Sequence, residues 1–124
     1  MNNPVPRRLV MVVDDDAAMR GLLGRLLLGW GYRTSISGSF ADAKASLEKV
    51  SPDALIVDVR LGEHNGLHLV HMARQARPET VIVVISGFDD PVLREEAARA
   101  GAKYVLKTEE LTNLKDYLPP PTAN

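Results

Sequence analysis

At 124 residues the chain is long enough for one domain whose core needs no metal or disulfide to hold it. It is 45% hydrophobic and 25% charged with a formal net charge of -1, which argues against a domain that grips nucleic acid by neutralising phosphates. It has no cysteine, which removes disulfides, thiol catalysis and thiolate metal sites and is compatible with a reducing cytoplasm.

Residues 1–7 read as a ragged basic leader with two prolines and no apolar h-region, hence not a signal peptide. Leu9–Val13 is an unbroken apolar run that stops at Asp14, Asp15 and Asp16, and it predicts a first strand buried on both faces. Residues 17–30 place Met19, Leu22, Leu23, Leu26, Leu27 and Trp30 at helical spacing, with Asp16 as N-cap and Arg20 and Arg25 outward. Gly21 and Gly24 weaken that helix, so packing must carry it. This is the greasiest stretch, and it is too short and too interrupted to span a bilayer.

Residues 32–37 are more polar and predict an edge strand. Ser39 caps a helix with Phe40, Ala43, Leu47 and Val50 on one face, ended by Ser51-Pro52. The third strand is 54–57, with Asp58 at its tip and turn chemistry from Val59 to Gly66. Residues 66–77 give a helix with Leu67, Leu69, Val70 and Ala73 inward. Residues 81–85 give a fourth strand ending at Ser86-Gly87. Pro91 opens a fourth helix, followed by Val92, Leu93, Ala97 and Ala100 and stopped by Gly101. Residues 104–106 form a fifth strand ending at Lys107. Thr108 then caps a short helix carrying Leu111, Leu114 and Leu118, and residues 119–124 form a proline-rich tail that reads as a linker should the chain continue.

Five strands alternating with five helices imply an α/β fold, a parallel sheet with helices on both faces. All strand carboxyl ends then lie along one edge, where such sheets bind ligands. That edge receives Asp14, Asp15 and Asp16, then Asp58, Ser86 and Lys107. Several crowded carboxylates repel, and a hard divalent cation such as Mg²⁺ relieves them. A metal, a hydroxyl and a lysine around one carboxylate suit phosphoryl transfer onto Asp58. No glycine fingerprint for dinucleotides or a P-loop follows Val13. His64, His68 and His71 have i, i+4, i+7 spacing, yet His68 and His71 lie off the apolar stripe and read as surface residues rather than zinc ligands.

Together, Val-Val-Asp-Asp-Asp-Ala-Ala-Met-Arg after the first strand, Asp58 with Gly66 eight residues on, Ser86-Gly87, and Gly101-Ala102 before Tyr104 and Lys107 resemble a response-regulator receiver domain over residues 8–118. The resemblance implies a doubly wound, flavodoxin-like sheet in the order 2-1-3-4-5. It implies Asp58 as phosphoacceptor, Ser86 and Lys107 as phosphoryl contacts, and Ser86 with Tyr104 as a switch pair. It further implies a Mg²⁺ site, with Mn²⁺ as substitute, from Asp14, Asp15, Asp58 and the Arg60 carbonyl. A sensor histidine kinase or histidine phosphotransfer protein would be the donor and a protein the downstream target. No nucleic acid or membrane contact is implied; a cytoplasmic monomer or weak dimer is, with no enzyme activity beyond its own phosphorylation and dephosphorylation.

Three departures stand out. Gly62 occupies a position where proline is usual, Thr108 replaces the proline after the lysine and with it the usual ground for a cis peptide, and the span from Gly101 to Tyr104 is one residue short. Arg60 reads either as a side chain at the pocket mouth that influences phosphoryl lifetime or as an ordinary solvated arginine, and Phe88 either as a shield against water or as cover for the edge of the fourth helix. The competing functions are a haloacid-dehalogenase-like phosphatase using Asp14 and Asp16, and a receiver-like scaffold that is never phosphorylated.

Overall fold

The computed structural model describes residues 6–109 and 111–122. In chain order the elements are β1 (Leu9–Val13), α1 (Ala17–Gly29), β2 (Arg33–Ser37), α2 (Phe40–Lys49), β3 (Ala54–Asp58), α3 (Leu67–Ala76), β4 (Val81–Ser86), α4 (Pro91–Arg99), β5 (Lys103–Leu106) and a closing 3₁₀ helix, Leu111–Tyr117. The five strands are all parallel and ordered β2-β1-β3-β4-β5, as the resemblance implied.

Strand alternation explains why the central runs are continuously apolar. Met11, Val13, Leu55, Val57, Ile82 and Val84 face a core shared with α2, α3 and α4. Val10, Val12, Ile56, Val83 and Ile85 face the opposite core, closed by Leu23 and Leu27 of α1 and by Leu111 and Leu114 of the 3₁₀ helix. A strand with a helix on each side has no solvent face, so polar alternation disappears.

The helix starts follow their predicted chemistry. Asp16 Oδ1 accepts from the amides of Ala18 (2.9 Å) and Met19 (3.4 Å), and Ser39 Oγ accepts from that of Asp42 (3.1 Å). Pro91 occupies the first turn of α4, and Asp90 is the cap before it.

Several expectations need correction. Leu22 is 37% exposed, although its spacing sets it on the apolar face of the helix. The buried stripe of α1 is Leu23, Gly24 and Leu27, because Gly24 lets the helix settle onto β2: a Cβ there would lie 3.0 Å from Ile36 Cδ1. Arg20 does not point outward. Its Nη1 donates to the Asp14 carbonyl (2.9 Å), and the guanidinium fills the space a side chain at Gly38 would need. The short last helix is 3₁₀, Leu111–Tyr117, and Thr108 lies in the turn before it and not at its cap. Among the described residues no peptide bond is cis.

The β3–α3 connection is more ordered than a loop. Arg60–Leu61 pairs antiparallel with His64–Asn65, and Gly62 at the turn has φ +61°. At the opposite end of the sheet the proline run lies back on the molecule. The Arg8 amide donates to the Pro121 carbonyl (2.7 Å), its guanidinium to those of Pro120 (2.7 Å) and Thr122 (2.9 Å), and the Tyr32 hydroxyl to that of Pro119.

Candidate functional site

Parallel strands bring residues distant in sequence to one edge. Asp14 follows β1, Asp58 ends β3, Ser86 ends β4 and Lys107 follows β5. Asp14 is fully buried and Asp58 nearly so. The Lys107 ammonium donates to Asp58 Oδ2 (2.9 Å) and lies 2.9 Å from Asp14 Oδ2. The second contact is an ion pair out of line for a hydrogen bond, so Asp14 Oδ2 has no donor although no water reaches it. Shortening the Gly101–Tyr104 span therefore leaves Lys107 in place. β5 simply starts at Lys103 after the left-handed Gly101 (φ +73°).

The remaining carboxylate oxygens are held by backbone. Asp58 Oδ1 accepts from the Arg60 amide (3.1 Å), Asp14 Oδ1 from that of Asp16 (2.9 Å), and Asp15 Oδ2 from that of Gly62 (3.3 Å). Gly66 lets α3 start directly against the site: a Cβ there would sit 2.1 Å from the Asp58 carbonyl oxygen.

Burial, above all, pushes the Asp58 carboxyl above the usual carboxylate range. Lys107 and the Arg60 amide pull it down, while Asp14 adds to the rise. Burial alone would lower the Lys107 ammonium, but its hydrogen bond to Asp58 and its ion-pair contact with Asp14 leave it above the ordinary lysine value. One cation is thus shared by two buried anions, with Asp15 as a third negative charge beside them.

Asp14, Asp15 and Asp58 each offer an oxygen within 4.8 Å of the other two. An all-oxygen donor set with a donorless buried oxygen fits a hard divalent cation. Asp16 stands apart, since its carboxylate is used in capping α1. That removes the second acid of an Asp14/Asp16 phosphatase pair. His64, His68 and His71 are exposed and, among the described residues, join no group able to hold a metal. His64 instead stacks on Phe40, centroids 4.5 Å apart.

Ser86 and Tyr104 meet at one atom. The Ser86 hydroxyl donates to the Phe88 carbonyl (2.9 Å) and accepts from the Phe88 amide (3.1 Å), while the Tyr104 hydroxyl donates to the same carbonyl (2.7 Å). The Arg94 guanidinium lies over the Tyr104 ring (4.6 Å) and that of Arg60 over the Phe88 ring (5.1 Å). Phe88 is 63% exposed. Arg20, which ties the Asp14 carbonyl to the β2–α2 turn, and Phe88 as shared acceptor were not apparent from the sequence. Neither has a local signal, because each depends on a partner remote in the chain.

The sequence pattern of the response regulator receiver domain matches residues 10–118. The chain belongs to that family. As a receiver domain it is a signalling fold rather than a conventional enzyme. The chain is 33% identical over 125 residues to the photosynthetic apparatus regulatory protein RegA of Rhodobacter capsulatus, covering 94% of this receiver and 68% of that protein. It is 31% identical over 110 residues to the transcriptional regulatory protein ZraR of Salmonella typhimurium, but spans only 25% of that protein's length. Among solved structures, a response regulator from Burkholderia pseudomallei with a phosphorylated aspartic acid, calcium ion and citrate superposes with a TM-score of 0.82 at 24% identity, covering 90% of this chain and 66% of that one. At that identity the likeness establishes the fold. Among the described residues, no helix of the receiver is long and apolar enough to cross a membrane.

Proposed function

We propose that this receiver accepts a phosphoryl group on Asp58 from a phosphohistidine of a sensor histidine kinase or a histidine phosphotransfer protein. The observation that carries the proposal is the Asp58 carboxylate, bonded to Lys107 and set against Asp14 and Asp15 at the tip of the central strand. In the transfer a carboxylate oxygen forms the new P–O bond as the P–N bond breaks, and the donor imidazole leaves with the electron pair. That the Burkholderia response regulator of the same fold carries a phosphorylated aspartic acid and a calcium ion supports this reading.

Asp14, Asp15, Asp58 and the Arg60 carbonyl would hold Mg²⁺, or Mn²⁺ in its place. When bound, the cation supplies positive charge to the transferring phosphoryl oxygens. Lys107 neutralises the anionic edge at rest and then follows the phosphoryl group. Ser86 leaves the Phe88 carbonyl to donate to a phosphoryl oxygen, and Tyr104 keeps that carbonyl as its acceptor. The loop after β4 thereby moves with the hydroxyl, and the face around α4 and β5 changes its preference for a downstream protein.

Residues 8–118 form the receiver, with residues 1–7 as leader and 119–124 as tail. It would act in the cytoplasm as a monomer or weak dimer, touching neither nucleic acid nor membrane through this domain, and its only chemistry would be its own phosphorylation and dephosphorylation. Incubation with Mg²⁺ and acetyl phosphate, followed by mapping of the modified residue, tests this. Modification at Asp58, lost in Asp58→Asn, is the expected result. Modification at Asp14 would restore the phosphatase alternative, and none at all the scaffold.

A further inference from the structure

The hairpin between β3 and α3 does more than connect them. Gly62 stands where receivers usually carry proline, and its φ of +61° is one that proline, fixed near −65°, cannot adopt. The turn aims the Gly62 amide across the site at Asp15 Oδ2 (3.3 Å), a bond that proline, lacking the N–H, could not make. The hairpin presenting that amide is anchored at three points. Leu61 is buried, the Gly66 amide donates to the Val59 carbonyl (2.6 Å), and His64 stacks on Phe40 at the start of α2.

Asp15 is the exposed member of the acidic cluster, so packing does not fix its side chain. With Oδ2 engaged by Gly62, Oδ1 is left for a cation. A carboxylate ligand held by an outer hydrogen bond loses less freedom when it binds metal, and removing such partners typically costs 10–100-fold in affinity.

We propose that Gly62 is a positioning residue for the divalent-cation site, its left-handed turn orienting Asp15 through the amide. This rests on Asp15 being a cation ligand, as proposed above.

A Cβ at Gly62 meets nothing within 4 Å, so substitutions there act through the backbone, its conformation and its N–H, and not through a clash at Cβ. Asparagine tolerates the left-handed region and keeps the N–H, valine keeps the N–H but resists the turn, and proline loses both. Mg²⁺ binding to the full unphosphorylated chain is measured by calorimetry and by chemical-shift titration, with circular dichroism confirming the fold of each variant. Gly62→Pro and Gly62→Val should each weaken Mg²⁺ by about tenfold, with Gly62→Asn unchanged and Asp15→Asn weakest of all. Unchanged or tighter binding by Gly62→Val and Gly62→Pro, with Asp15→Asn still impaired, would overturn the role of Gly62 alone. Unimpaired binding by Asp15→Asn would remove Asp15 from the site and this inference with it.

Discussion

Asp58→Asn keeps the shape of the side chain and deletes one charge from a site that holds too many. At an effective dielectric of about 20, the 2.9 Å contact with Lys107 is worth about 6 kcal/mol. Repulsion from each carboxylate within 4.8 Å is about 3 kcal/mol on the same basis, less for exposed Asp15. Attraction and repulsion nearly cancel, so the cost of burying the charge decides, in agreement with the upward pKa of Asp58. Without divalent cation at pH 7, Asp58→Asn should therefore be more stable than the wild type by about 1 kcal/mol, raising Tm by about 4 °C.

Mg²⁺ reverses the order. At a hundred times its Kd a ligand adds about 2.7 kcal/mol to the wild type, and the variant, short of one ligand, gains less. The pH dependence has a defined sign. A carboxyl whose folded pKa is raised binds its proton more tightly in the folded state, so wild-type stability falls as pH climbs from the ordinary carboxylate value of about 4 through the raised one. The gap between variant and wild type should vanish below that window and be complete above it. Thermal unfolding in EDTA and in Mg²⁺ across this range measures both effects. An Asp58→Asn protein that is less stable than the wild type in EDTA at pH 7, or a gap indifferent to pH, would refute the electrostatic account.

Lys107→Met strips two buried carboxylates of their shared cation and should cost roughly 3 kcal/mol near neutrality in urea denaturation, recovering as acid protonates Asp58. Because the Lys107 pKa is raised, the stabilisation it gives is intact below about 10.4 and lost as pH rises through the folded value, so variant and wild type should converge in alkali. Gly66→Ala drives a methyl into the Asp58 carbonyl and should destabilise by about 3 kcal/mol while slowing phosphorylation; a neutral effect in both assays would contradict the packing described. Arg60→Ala and Phe88→Ala remove an exposed stack worth about 0.5–1 kcal/mol, so stability should hold while the aspartyl phosphate, followed by loss of label, hydrolyses faster. An unaltered lifetime would leave that stack with no shielding role.

The sheet was legible because its strands are buried on both faces. Runs such as Leu9–Val13 and Ala54–Asp58 need no partner to be recognised, and their order follows from β-α alternation together with the resemblance. The caps at Asp16 and Ser39 and the first-turn Pro91 were legible for the same local reason. The hairpin at Gly62 was not, since two residues per strand are too few to show alternation. Leu111 and Leu114 are three apart, a spacing that suits either kind of helix, and only packing selects 3₁₀. In the site, the acids and Lys107 announced themselves by falling at strand ends. The inward turn of Arg20 did not, because it depends on the bare backbone at Gly38.

The strap formed by Pro119, Pro120 and Pro121 against Arg8 and Tyr32 brings residues 7 and 122 into a bridge at the edge of the sheet remote from Asp58. The order of the elements in the gene can therefore be rearranged without rearranging the molecule. A short glycine linker across that bridge, with new ends opened at exposed Val50 and Ser51, gives a circular permutant whose acidic edge is untouched. Fusion partners placed at those new ends would grow out beside α2.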